Sequence, residues 1–174
     1  MDIDIFNVLM AGFFGAVFGS YATLFAHRLP IGESCFGRYF GKKSQCPKCG
    51  YTLRTRELVP IFNWLVTLGK CSKCSTKIPR SHLFLELGSV LTYILSYLKF
   101  GFTQEFMIFS LICSGCLILV VTDIKHSKIP YQMLIFLLLL ITNLRVMKDH
   151  DFFQMINSAV VAIIFCAIFY QIFY

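Results

Sequence analysis

Five apolar runs, at residues 6–25, 83–98, 106–121, 131–146 and 156–174, take up half of the 174-residue chain. A helix that crosses the hydrocarbon core of a bilayer needs about 20 predominantly apolar residues. The middle three runs are shorter than that, so their ends are placed only to within several residues. A backbone in lipid has no water to bond to and must satisfy its own N–H and C=O groups, which leaves helices or closed barrels. No alternating barrel pattern is present, and helices are predicted. Hydrophobic residues make up 57% of the chain and charged residues 14%, against roughly 25% charged in soluble domains. Lipid is therefore part of this chain's solvent. Asp2 and Asp4 precede the first run with no basic residue and no clear cleavage site, so that run is expected to stay on the protein rather than leave as a secretory signal.

Residues 27–82 are different. They hold four of the five prolines and eleven of the sixteen Lys and Arg residues. Lys125 and Lys128 belong to the next loop expected on the same side, and only Lys99, Arg145 and Lys148 remain for the other. Basic residues accumulate on the cytosolic side of membrane proteins, which predicts an N-terminus outside and the long loop inside. The net charge of +7 then reflects topology and anionic headgroups, not nucleic acid. The division expected is a first transmembrane helix at 1–26, a cytosolic four-cysteine domain at 27–82, and membrane helices over 83–174. The last run has no polar tail, and the chain is expected to be cut short.

The long loop carries Cys46-Pro47-Lys48-Cys49 and Cys71-Ser72-Lys73-Cys74. Each C-x2-C pair offers two thiolates from one tight turn. Two such pairs fill a tetrahedral zinc shell with no position left for reacting water, so zinc here would be structural. Two disulfides or incidental thiols are the competing reading, disfavoured in a reducing cytosol. A loop of about 55 largely polar residues also needs a staple to fold. Cys113 and Cys116 repeat the spacing inside an apolar run. With Ser114 and Gly115 they read as a small-residue packing face, while Cys35 and Cys166 stand alone. The fold class predicted is an all-α polytopic membrane protein of about five transmembrane helices with a small cytosolic zinc-ribbon-like insertion.

Two carboxylates stand at membrane borders. Asp123 closes the third run, with Lys125 and Lys128 as plain ion-pair partners. Glu86 lies in the first turns of the second, within reach of Arg80 or His82. An acidic group in a span usually meets a partner or a watered cavity. Carboxylate peptidase chemistry needs two such groups sharing a proton.

The order of these features resembles the type IV prepilin peptidases, also called prepilin leader peptidase/N-methyltransferases. The residues that carry the resemblance are Gly15-Ala16-Val17-Phe18-Gly19-Ser20 and Arg28-Leu29-Pro30 at the first span. In the cysteine domain they are Ser44, Cys46, Cys49, Pro60, Trp64-Leu65, Gly69-Lys70-Cys71 and Cys74. Ile78, Arg80 and Glu86-Leu87 follow at the second span, then Asp123 with Ile129-Pro130. The resemblance implies a membrane aspartyl peptidase that cuts the leader from prepilins and pseudopilins at the cytosolic face of the inner membrane, with N-methylation from S-adenosylmethionine. It implies that Asp123 is one half of the catalytic dyad and that Cys46, Cys49, Cys71 and Cys74 hold zinc. It does not indicate which residues would touch S-adenosylmethionine.

Three departures matter. The family's Gly-x-Gly-Asp segment, which carries the second aspartate, does not occur in these 174 residues, and Asp149 and Asp151 fall in a loop expected outside. Tyr131 stands where an aspartate commonly follows the Ile-Pro pair. His82-Leu83 stands where the family has Tyr-Pro. The chain thus resembles a family member without its C-terminal portion, and little or no peptidase activity is expected of it alone. The alternatives are a zinc-stabilised protein that binds prepilin or assists pilus or type II secretion assembly without turnover, and a protein that retains only methyl transfer.

Overall fold

A computed structural model describes residues 4–32, 35 and 44–148. Helix α1 spans Ile5–Arg28 and runs on into a short 3-10 turn, Leu29–Ile31. Among its described residues the rest of the cysteine loop holds a 3-10 turn, Thr55–Leu58, and a short helix α2, Phe62–Val66. Helices α3 (Arg80–Phe100), α4 (Gln104–His126) and α5 (Tyr131–Lys148) follow.

The helix ends have local causes. The Asp4 carboxylate accepts the Phe6 N–H at 3.0 Å and caps α1, so one of the two early aspartates is an N-cap. Thr103 does the same for α4, accepting the Phe106 N–H at 3.3 Å. Between α3 and α4 the chain reverses within residues 101–103. Gly101 there takes φ 64° and ψ −168°, a conformation essentially closed to residues with a Cβ. Phe102 covers this turn, 4.8 Å from the Tyr97 ring and 5.3 Å from the Phe106 ring.

Packing in the bundle is inverted relative to a water-soluble protein. The inward face of α1 is Ala11, Gly15, Gly19, Ala22 and Ala26, whereas Leu9, Phe13 and Tyr21 point outward. Ser89, Ser96, Ser110, Ser114 and Thr122 are buried between helices, and Leu91, Leu95 and Val120 are exposed. Small and hydroxyl-bearing residues let helices approach closely where lipid supplies no hydrophobic drive between them. A Cβ built on Gly15 would stand 2.7 Å from the Val90 Cα and 2.8 Å from the Ser89 carbonyl. One built on Gly19 would stand 2.8 Å from the Glu86 Cα. The backbones of α1 and α3 therefore touch, and only glycine fits.

Four of the five predicted runs lie on α1, α3, α4 and α5. Ile5–Ile31, Arg80–Phe100 and Gln104–His126 are long and apolar enough to cross a membrane, and Tyr131–Arg145 is a shorter apolar helix. The run at 156–174 lies outside the described residues. The helices extend beyond the expected ends because polar flanks such as Arg80-Ser81-His82 and Asp123-Ile124-Lys125 continue the helical backbone past the apolar window. In the predicted packing face it is Ser114 and Gly115 that are buried, whereas Cys116 is exposed. A Cβ on Gly115 would meet Leu137 of α5 at 2.7 Å.

Candidate metal centre and the adjoining bundle end

The two C-x2-C turns are copies of one hairpin. In the first, the Gly50 N–H donates to the Cys46 carbonyl at 2.9 Å and the Cys46 N–H to the Tyr51 carbonyl at 2.9 Å. In the second, the Ser75 N–H donates to the Cys71 carbonyl at 3.0 Å and the Cys71 N–H to the Thr76 carbonyl at 2.8 Å. Antiparallel bridges close both, Gln45 with Thr52 and Lys70 with Lys77. Leu53 and Ile78 complete the match by donating to Ser44 and Gly69. Every pairing recurs 25 positions later, a repeat that residue identity had concealed. Gly50 at φ 66° and Ser75 at φ 55° make the same left-handed step after the second cysteine, and this step curls each turn over its sulfurs.

Glu57 clips the copies together. Its carboxylate accepts the Tyr51 hydroxyl at 3.0 Å from one hairpin, the Ser72 hydroxyl at 2.6 Å from the other, and the Arg54 N–H at 2.8 Å. Led by the Arg54 N–H, these donors hold the carboxyl below the usual glutamate range. The Lys73 ammonium adds a cation–π contact, 5.8 Å from the Tyr51 ring centre.

The result is one cluster. The Sγ atoms of Cys46, Cys49, Cys71 and Cys74 all lie within 4.8 Å of one another, and Cys46 and Cys74 are 3.7 Å apart. A tetrahedron of sulfurs about 2.3 Å from a central zinc has edges of about 3.8 Å, so small movements would close this shell on a metal. The donor set fits the ion, and the four cysteines are free thiols, not disulfides. Backbone N–H groups of Cys49 and Lys48 hold Cys46 below the ordinary thiol range. The Thr76 hydroxyl, 3.1 Å away, and then the Thr76 N–H hold Cys74 down at about 6. A backbone bond from Tyr51 pulls the same way on Cys49, yet lost hydration and the three neighbouring sulfurs push that thiol up to about 11. Thiols packed this closely cannot all ionise unaided, and a dication removes that conflict.

The module is fastened to the bundle at Glu86. Its carboxylate accepts the backbone N–H of Ile61 at 2.6 Å. The partners expected from sequence, Arg80 or His82, are local on the helix. The actual one lies 25 positions earlier and could not be read from local spacing. Ile61 itself sits at φ 62°, ψ −50°, rare for a β-branched residue. At the same end, Ala22, Ala26, Leu85, Ile118, Val121 and Met133 form a core where α1 ends, α3 begins, α4 ends and α5 begins. His27, His82 and Lys125 lie near one another there.

Asp123 belongs to this end, exposed in the last turn of α4, where its carbonyl accepts the Ser127 N–H at 2.8 Å. Among the described residues no hydrogen bond or ion pair joins its side chain to another group, Lys125 and Lys128 included. The structure thus brings the four cysteines together and leaves Asp123 apart from them. Asp149 and Asp151 lie outside the described residues. Sequence reading passed over Glu57, whose only signal was an acidic residue in a strongly basic loop.

A bundle of crossing-length helices bearing one four-thiol centre defines the class. The bacterial Peptidase A24 N-terminal domain matches residues 13–100, and the chain belongs to this prepilin peptidase family. Prepilin leader peptidase/N-methyltransferases are its relatives. That of Bacillus subtilis (strain 168) is 30% identical over 138 residues, covering 79% of this chain and 54% of the relative. That of Stutzerimonas stutzeri is 28% identical over 150 residues, 75% and 52% of the two chains. That of Myxococcus xanthus (strain DK1622) is 26% identical over 135 residues, 71% and 39%. The chain spans about half the length of the curated relatives it matches, or less. No solved structure matches it.

Proposed function

We propose that this chain carries the metal module and one catalytic carboxylate of a prepilin leader peptidase. The observation that carries the proposal is the four-sulfur cluster, fastened through Ile61 and Glu86 to the bundle end where Asp123 stands exposed. The family membership and the names of the relatives support the reading. The bundle lies in the bacterial inner membrane, the N-terminus is outside, and the cysteine domain at 27–82 is cytosolic. The thirteen basic residues assigned to that side support this orientation.

Cys46, Cys49, Cys71 and Cys74 would hold zinc. Bound there, the ion has no open position and supplies folding energy rather than chemistry. The chemistry needs carboxylates. Ionised Asp123 takes a proton from the attacking water, and a neutral partner donates a hydrogen bond to the scissile carbonyl. The family resemblance assigns that partner to a Gly-x-Gly-Asp segment, which these 174 residues do not contain. The prepilin's apolar segment would approach through lipid while its basic leader stays cytosolic, and methylation of the new N-terminus from S-adenosylmethionine would follow. The lack of a Gly-x-Gly-Asp segment in these 174 residues favours one further reading, prepilin binding without turnover by this chain alone.

Cleavage of a prepilin in proteoliposomes separates the two. The 174-residue chain alone should cleave negligibly. Joined to the remaining half of the Bacillus subtilis relative it should cleave, and Asp123→Asn in the joined form should reduce the rate at least about a hundredfold, the scale of a lost acid–base group. Cleavage that survives Asp123→Asn would remove the catalytic assignment.

A further inference from the structure

The segment from Leu58 to Leu68 is the most apolar part of the cysteine module, and most of its large side chains other than Ile61 and Trp64 are exposed. Phe62 is 63% exposed, Val66 65% and Leu68 78%, with Val59 and Leu65 near half. These residues take no part in the metal cluster. A soluble module has no reason to spread such a surface in water.

Its position supplies the occupant. The Ile61 N–H is held on Glu86, six residues into α3, which is about 9 Å along the axis from the helix start at Arg80. The segment is thereby fixed level with the second turn of a membrane-crossing helix. Phe84 and Leu87, on either side of Glu86, are themselves exposed on α3, so the span carries exposed apolar side chains at the level where the segment is held. Lys70 follows, bridged to Lys77 across the second hairpin, and Arg54 precedes. All are exposed and suited to anionic headgroups. Trp64 packs its ring over Gly69, where a Cβ would stand 2.9 Å from it. The tight turn after α2 is thus built around an indole.

We propose that the segment from Leu58 to Leu68 is a membrane-interface element, with Phe62, Leu65 and Val66 lying in the headgroup–acyl boundary of the leaflet that α3 enters. Interfacial elements of this kind bury their apolar face about 5–10 Å into the headgroup–acyl boundary, the same scale as the roughly 9 Å from the start of α3 to Glu86. Glu86 is then a positioning residue that sets the depth of the whole cysteine module. The inference rests on α1, α3 and α4 crossing a membrane.

Trp64 is the only tryptophan in the chain and reports on the segment without substitution. The test uses the full chain in vesicles of phosphatidylethanolamine and phosphatidylglycerol. Lipid brominated near the top of the acyl chain should quench Trp64 emission at least twofold, more than lipid brominated near the chain end, and aqueous iodide should quench weakly. Phe62→Ser with Val66→Ser should lose most of the bromolipid quenching. Strong iodide quenching without bromolipid quenching would place the segment in water. Because Trp64 itself packs over Gly69, the same measurement on a Trp64→Phe, Phe62→Trp chain reads the outward face, and protection from both there would mean that protein covers it, whether a second copy or another part of this chain. Bromolipid quenching unchanged in the double variant would show that the apolar face is not what holds the segment. Each of these three results overturns the proposal. Flotation of the chain with vesicles after alkaline wash checks the spans separately. A chain that fails to float loses the membrane reading, and a floating chain with lipid-insensitive Trp64 loses only the interface element.

Discussion

At Gly50 and Ser75 one backbone step is taken by two different residues, and the difference can be measured. A left-handed conformation costs an ordinary L-residue about 1–2 kcal/mol. Gly50→Ala should therefore destabilise the cysteine module by roughly that amount, while Ser75→Gly should be neutral or stabilising by less than about 1 kcal/mol. Urea midpoints of the two variants check both signs. Glu57 gives a pH signature. Its folded carboxyl titrates below the ordinary value of 4.5. The stability it contributes is complete above that value and is lost as pH falls through the lower folded one. Thermal melting of wild type and Glu57→Gln should diverge most above pH 5 and converge in acid. The comparison cancels metal loss, which both share. Melting curves that stay equally far apart at every pH would remove Glu57 as the clip.

Among elements, the contact between α1 and α3 is the most exacting. A side chain at Gly15 meets backbone atoms of Val90 and Ser89, which cannot step aside as a side-chain tip can. Gly15→Leu should cost about 1–3 kcal/mol or more and lower the resistance of the bundle to detergent denaturation. Gly12→Ala, where the nearest atom is the Ile94 Cδ1 at 3.4 Å, should be tolerated. A Gly15→Leu chain as stable as wild type would show that the two helices do not touch. This scale also shows what the sequence could reveal. The helices were legible because lipid permits few alternatives to an apolar helical run, and the cysteine pairs because thiolate spacing is a local property. The hairpin repeat was hidden because backbone bonds made it while Gly50 and Tyr51 changed to Ser75 and Thr76. The bond from Ile61 to Glu86 was hidden because it links residues that are distant in sequence. Burial of Ser89, Ser110 and Ser114 beside exposed leucines follows from lipid as solvent, although which face of each helix turns inward emerges only once the helices pack.

For the whole molecule, the four-cysteine module and Asp123 share one end of a bundle, and the bond from Ile61 to Glu86 fastens the module there beside the chain connections at Ile31 and Arg80. The four sulfurs already lie within 4.8 Å of one another, and on the proposed reading an ion bound among them would fix the shape of the module. Binding must displace the proton of Cys49, so apparent affinity should rise with pH through neutrality. Metal analysis of the purified 174-residue chain is the most direct test. One zinc per chain is predicted, with loss of the ion and a shifted Trp64 emission after Cys49→Ser or Cys71→Ser. A chain that purifies without metal and takes up none when zinc is added, or a Cys71→Ser chain that keeps its zinc, would contradict a centre built from all four cysteines.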